Sequence, residues 1–334
     1  MSELNIPLLS VLDLVPIRQG QEPKEAIESM VLLAQATEKL GYQRYWIAEH
    51  HNMPSVISSA TAILIKHALE NTKKIRVGAG GIMLPNHSPL VVAEQFGTLS
   101  IMYPDRVDLG LGRAPGTDSL TSQALRRSRN ESIYSFPNDV RDLTTYFGPE
   151  DQQGRVKAFP GVGTNVPVYV LGSSTSSAIL AADLGLPYSF AGHFAPAQMQ
   201  EAVELYRARF KPSQFLLKPY VILGMNVLAA DTNEEAEIEF STMIQLFLNT
   251  MTGKNTPVPP PVQNLDNLIS TEEQQIIKSQ MGIIIKGDKE SIKSQLIEFQ
   301  SMYHADELMV NSHIFDQKKQ IRSYDILKEA IASI

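Results

Sequence analysis

The sequence predicts a (β/α)8 TIM barrel forming one domain over residues 1–334, with an insertion before the eighth strand. Three observations point there. Eight short apolar runs are mostly separated by stretches with apolar residues at helical spacing, the order of a parallel sheet with crossover helices. Four of those runs end in polar or glycine-rich tips: Arg44–His51, Ile75–Gly81, Arg106–Arg113 and Val166–Ser174. In a barrel such tips share one rim. The length, 334 residues with no obvious internal boundary, fits a barrel carrying insertions. A doubly wound open sheet is the competing arrangement.

Ile6–Leu12 is the first strand. Pro23–Leu40 puts Ala26, Met30, Leu33, Ala34, Thr37 and Leu40 at helical spacing, and Gly41 stops the helix. Tyr45–Ala48 is the second strand, with a helix at Ser58–Leu69. Ile75–Ala79 is the third, followed by a helix from Pro89 to Met102. Pro104-Asp105 turns the chain into the fourth strand, Val107–Leu111. Residues 114–136 read as a long loop. Its basic run, Arg126-Arg127-Ser128-Arg129-Asn130, is either a solvated face or a phosphate or substrate contact. Asn138–Phe147 is a helix, Val166–Leu171 the fifth strand, and Ser174–Leu184 a helix closed by Gly185. Pro187–Ala191 is the sixth strand with Ala197–Phe210 as its helix, and Tyr220–Ala230 is the seventh with Asn233–Leu248. Gly253–Gln275 contains Pro257, Pro259, Pro260 and Pro261 and reads as irregular. A structureless stretch of that length in a compact domain is a lid or a linker, and the strand and helix still to come favour a lid at 253–280. Glu290–Tyr303 is a helix, Glu307–Val310 the eighth strand, and Ile321–Ile331 the closing helix.

Composition narrows the function classes. Hydrophobic residues make up 43% and charged residues 19%, a globular balance. The net charge of −7 argues against a nucleic-acid partner, which needs a basic face. No apolar run reaches the roughly 18 residues of a membrane span. Met-Ser-Glu-Leu-Asn lacks the basic start and apolar core of a signal peptide. There is no cysteine, which removes disulfides, thiolate nucleophiles and Cys-ligated metals and makes a cytoplasmic location the default.

The chemistry sits at the strand tips. Glu49, His50 and His51 end the second strand, and alternation lets one of the two histidines face a pocket. That imidazole is either a general acid/base or a hydrogen-bonded structural group. A metal site is the weaker reading, because the spacing is not one helical turn and no second ligand cluster is evident. Gly80-Gly81 either lies flat against a ligand or serves tight barrel packing. Gly110-Leu-Gly112-Arg113-Ala-Pro-Gly116 nearly matches a dinucleotide fingerprint, but its third glycine is one residue late and Pro115 stands where the helix should start. What remains is Arg113 at a strand tip, suited to bidentate phosphate contact. Ser173-Ser174-Thr175-Ser176-Ser177 opens a helix with more hydroxyls than an N-cap needs, the pattern of an anion cradle. A phosphorylated flat cofactor suits this set better than a sugar or a peptide.

Glu49-His50-His51, Val77–Pro85, Pro89 with Glu94, Pro104–Arg113 and Leu171–Pro187, in this order and spacing, resemble the bacterial luciferase-like monooxygenase family across nearly the whole chain. The resemblance implies a (β/α)8 barrel using reduced FMN and O2 through a C4a-(hydro)peroxyflavin, with the flavin commonly supplied by a separate NAD(P)H-dependent flavin reductase. It implies His50 as the acid/base, Gly80-Gly81 beneath the isoalloxazine ring, Glu94 near the flavin pocket, and Arg113, Ser173, Ser174 and Ser177 at the phosphate. It also implies a homodimer or higher homo-oligomer, to which the apolar residues of 58–69 and 89–102 contribute unless they simply pack on the barrel. Two departures matter: Gly112 stands where luciferase itself has a reactive cysteine, and the proline-rich segment matches the lid in place but not in sequence. Asn86–Pro89 and Asn311-Ser312-His313 look more like the non-luminescent single-gene members, so the expected substrate is an unidentified small organic molecule. Hydride transfer with coenzyme F420, as in other members of the superfamily, and flavin binding without turnover are the alternatives.

Overall fold

The computed structural model describes residues 6–114, 116–125, 129–265 and 269–334. Nine strands form one all-parallel sheet: β1 Leu8–Asp13, β2 Arg44–Ile47, β3 Arg76–Met83, β4 Val107–Gly112, β5 Val168–Gly172, β6 Tyr188–Phe190, β7 Val221–Ala229, β8 Ile284–Gly287 and β9 Glu307–Asn311. Eight of them close a ring, because β6 pairs with β7, β7 with β9, and β9 with β1. The predicted barrel is the observed one.

A helix lies between every two consecutive strands, and one closes the chain: α1 Pro23–Lys39, α2 Thr61–Glu70, α3 Pro89–Met102, α4 Ser119–Leu125, α5 Arg129–Phe147, α6 Thr175–Leu184, α7 Met199–Arg209, α8 Asn233–Met251, α9 Thr271–Gln280, α10 Lys289–Tyr303 and α11 Gln317–Ile331. The apolar spacing read for α1 is the buried face: Ala26, Met30, Leu33, Ala34 and Thr37 all turn inward. Gly185 ends α6 at φ 62°, a left-handed position that a glycine adopts without a Cβ clash.

The insertion differs from the expectation. Beyond Met251 the chain forms α9 and β8, and β8 pairs with the outer half of β7, Asn226–Ala229, outside the ring. Ser270 and Glu273 form a reciprocal capping box that starts α9, a signal present in Ser270-Thr-Glu-Glu273 but overshadowed by the preceding prolines. Ile269, Ile277 and Met281 of this stretch pack in a small separate core with Leu228 of β7, Phe240, Met243 and Ile244 of α8, and Ile314. The predicted 114–136 loop likewise contains α4 and the first turns of α5. Of the basic run in that loop, Arg126, Arg127 and Ser128 lie outside the described residues.

The lower end of the barrel is closed by charge. Arg44, the first residue of β2, is 4% exposed. Its guanidinium donates to Glu307 (2.7 Å), Asp108 (2.8 Å) and the Tyr169 hydroxyl (2.7 Å). Arg76 donates to the other Asp108 oxygen, and Tyr220 donates to the other Glu307 oxygen at 2.7 Å. Burial alone would favour a neutral guanidine, but the charges of Asp108 and Glu307 outweigh it and keep Arg44 protonated. Above this plug Leu12, Trp46, Tyr169, Ile222 and Met309 fill the interior. The opposite end, where the strands terminate, is left open for a site.

Candidate active site

A cavity of about 720 Å³ opens at the C-terminal ends of the strands. β2 contributes Trp46 and, two residues past a buried Ala48, His50; β3 gives Gly80 and Met83; β4 gives Gly112 and Arg113; β5 leads into Ser173 and Ser174. Met243 and Phe247 of α8, with Val258 and Met281 from the chain beyond it, complete the wall.

Alternation past the end of β2 sorts the three polar residues. His50 faces the cavity, and its Nδ1 has no hydrogen-bond partner. Burial pushes its pKa down, against the opposing charge of Glu49. Glu49 and His51 are absent from the cavity wall. Glu49 Oε1 accepts from His51 Nε2 and from His87 Nε2, each at 2.8 Å, and its other oxygen accepts from the Met83 N–H at 3.1 Å. Burial raises the Glu49 carboxyl, but these hydrogen bonds prevail and hold it at about 2.

The Gly80–Gly81 peptide is cis. Gly80 borders the cavity, and a Cβ there would lie 2.8 Å from Leu12 Cδ1 and 2.9 Å from Trp46 Cβ. A Cβ on Gly81 would lie 2.6 Å from the Gly110 carbonyl oxygen. Close approach to neighbouring strands therefore requires both glycines, whatever else the dipeptide does. Arg113 is exposed at the rim and, among the described residues, makes no ion pair. Ser174 is the N-cap of α6 but its side chain does not cap the helix; it meets Ser176 Oγ at 2.9 Å instead. The first turn of α6 thus keeps donors for an anion, apart from the Thr175 N–H, which Gln198 takes at 3.2 Å. Ser177 also borders the cavity, with its hydroxyl donating to the Ser174 carbonyl at 2.7 Å.

Glu94 is not brought to this wall. It is half-buried on the flank of α3, whose inward face is Val92, Ala93, Phe96 and Leu99. In its place the structure adds residues the strand-tip reading passed over: His193 beyond β6, Asn226 on β7, and Asn311 with His313 at the end of β9. Tyr188-Ser-Phe-Ala-Gly-His193 ends an apolar run in an imidazole just as residues 44–51 do, and that was the available signal. His193 sits over Gly224, where a Cβ would lie 2.6 Å from its Nδ1. Asn226 donates to the His193 carbonyl at 2.7 Å, and Asn311 Nδ2 lies 3.0 Å from His313 Nε2.

A match to the luciferase-like monooxygenase family model over residues 9–275 accounts for this arrangement. The chain belongs to the luciferase-like monooxygenase family. Within that family it is 47% identical to a luciferase-like monooxygenase of Escherichia coli, over 95% of each chain. It is 32% identical to N-acetyl-S-alkylcysteine monooxygenase of Bacillus subtilis, over 97% of this chain and 98% of that one. Among solved structures it is similar to apo-MsnO8, with a TM-score of 0.87 and 32% identity over 98% of each chain. No helix among the described residues of this family member is long and apolar enough to cross a membrane.

Two of the cavity imidazoles make stability depend on pH. Burial, with the neighbouring His313 and His50, pushes His193 down to about 3, and burial pushes His313 down to about 4, from an ordinary 6.5. The unfolded chain therefore binds protons that the folded one refuses. Stability is full above pH 6.5 and falls as the pH drops toward 4. For two such groups the slope approaches about 2.7 kcal/mol per pH unit. Denaturant unfolding of the ligand-free protein at pH 7, 6 and 5 measures it. Equal stability at the three values would mean that the rings take up protons in the folded state as they do in the unfolded chain.

Proposed function

We propose that the cavity binds reduced FMN and that the chain is the oxygenase component of a flavin-dependent monooxygenase acting on a small organic substrate. The observation that carries this reading is that one largely apolar cavity is lined both by an arginine with a hydroxyl-rich helix start and by three imidazoles. Arg113, which makes no ion pair among the described residues, stands at the end of β4 next to the strand that leads into α6, and the imidazoles of His50, His193 and His313 come from the ends of β2, β6 and β9.

FMN fits the first of these chemically. Arg113, Ser173, Ser174 and the first-turn N–H groups of α6 would hold its phosphate, with Ser177 bracing the turn through the Ser174 carbonyl. The backbone of Gly80-Gly81, without side chains, would lie along the flat ring system. Bound reduced FMN would supply the electrons that activate O2. His50 would then hold or move a proton at Nδ1, the ring nitrogen left without a partner. Met243, Leu246, Phe247 and Val258 would exclude water from the reacting end, with the 253–280 segment acting as the lid. In this reading a separate NAD(P)H-dependent reductase supplies the flavin, and the working form is a cytoplasmic homodimer. The Bacillus relative's name makes S-alkylcysteine derivatives the first substrates to try, alongside aldehydes, ketones, sulfonates and aromatics.

Oxygen consumption by the protein with reduced FMN across that panel tests the proposal. The expected result is uptake that one compound class couples to an oxygenated product. FMN binding with no substrate-dependent uptake would indicate a flavin carrier, and turnover with reduced F420 but not reduced FMN would indicate hydride transfer.

A further inference from the structure

Glu49, His51 and His87 bring three ligand atoms within 4.8 Å of one another, the one such His/Asp/Glu group among the described residues. They lie outside the cavity wall. Glu49 and His51 follow β2, and His87 comes from the turn between β3 and α3. The two imidazoles present the same atom, Nε2, to the same carboxylate oxygen at the same 2.8 Å.

The electrostatics of the group are unusual. The Glu49 side chain is 1% exposed, and no lysine or arginine among the described residues forms an ion pair with it. A buried carboxylate needs a counter-charge, and an ordinary hydrogen-bonding imidazole supplies only a dipole. That counter-charge comes either from protonating a ring or from a cation placed among the three groups.

We propose that Glu49, His51 and His87 form a binding site for a divalent transition-metal ion of the zinc type. Two imidazoles and one carboxylate are a zinc donor set, and neutral imidazole is its commonest nitrogen ligand. In a tetrahedral site with bonds of about 2.0–2.1 Å, ligand atoms stand about 3.3 Å apart. Opening the two 2.8 Å contacts by about half an ångström would admit the ion. The His87 side chain is 32% exposed and that of His51 12%, which leaves a route of entry and a fourth position for water. The ion would tie the segment after β2 to the β3–α3 turn. It would fix the stretch that carries His50 without touching the cavity. The site does not depend on the flavin reading, since none of its ligands lines the cavity.

The test is calorimetric titration of the chelator-treated full-length protein with Zn2+, paired with a Co2+ titration read by visible ligand-field absorption. The expected result is one ion per chain and a tetrahedral-type Co2+ spectrum. In His87→Ala the affinity should fall at least as far as loss of an outer-shell partner lowers it elsewhere, about 10–100-fold. His51→Ala should do the same, and His67→Ala on α2 should leave binding unchanged. Circular dichroism confirms that each variant folds. Absence of stoichiometric binding, or wild-type affinity in folded His87→Ala, overturns the proposal and leaves the trio as a hydrogen-bonded clamp.

Discussion

Replacing His50 by asparagine is expected to lower substrate-dependent oxygenation by about 10²–10⁴-fold, the usual worth of a positioned acid/base group. FMN affinity should stay within a few-fold of wild type. His50 lies in the cavity with Nδ1 unpartnered, while the proposed phosphate contacts come from β4, β5 and α6. Asparagine keeps a polar group of similar reach but cannot exchange a proton near neutral pH. Single-turnover mixing of the reduced flavoprotein with oxygen and substrate separates binding from chemistry. Unchanged product yield in His50→Asn would remove the proton-transfer role. A loss of flavin affinity with unchanged chemistry would make His50 a binding residue.

Replacing Arg44 by methionine should destabilise the protein by about 3–5 kcal/mol, the penalty for leaving buried carboxylates without their cation. Methionine fills much of the same volume, so the loss is chiefly electrostatic. Asp108 would still have Arg76, while Glu307 would be left with the Tyr220 hydroxyl as its side-chain partner. Denaturant unfolding reads the loss as a shifted midpoint. The double variant Arg44→Met/Glu307→Gln should recover part of it, because the stranded charge is then gone. No recovery would mean that packing, and not the ion pair, sets the effect of the single change.

The barrel was legible because each ring strand is a buried apolar run, and runs of that kind between helical patterns admit few topologies. Trp46 and Ile47 are wholly buried, as the sequence of β2 requires. The bottom plug was not legible. Arg44, Asp108 and Glu307 sit in three separate segments, and only closure of the ring brings them together. β8 was missed for a related reason. Ile284–Gly287 is a strand only because the outer half of β7 projects past the ring and offers it a partner. At the site, alternation foretold that one of His50 and His51 would face inward, but not which. His193 and His313 were not singled out as site residues, although each follows its strand by two or three residues as His50 follows β2; that the three imidazoles share one cavity depends on loop geometry. Glu94 shows the reverse. Its helical position was readable, but the face it takes is set by how Val92, Ala93 and Phe96 seat α3 on the barrel.

The most direct measurement is equilibrium binding of FMN, riboflavin and F420 to the ligand-free protein, read from the perturbed flavin or deazaflavin absorbance. Charge-assisted hydrogen bonds contribute about 1.5–3 kcal/mol each. FMN should therefore bind at least about 30-fold more tightly than riboflavin, and Arg113→Ala should remove most of that margin. Equal affinity for FMN and riboflavin would contradict a phosphate held by Arg113 and the start of α6, and tight binding of F420 alone would contradict FMN as the cofactor.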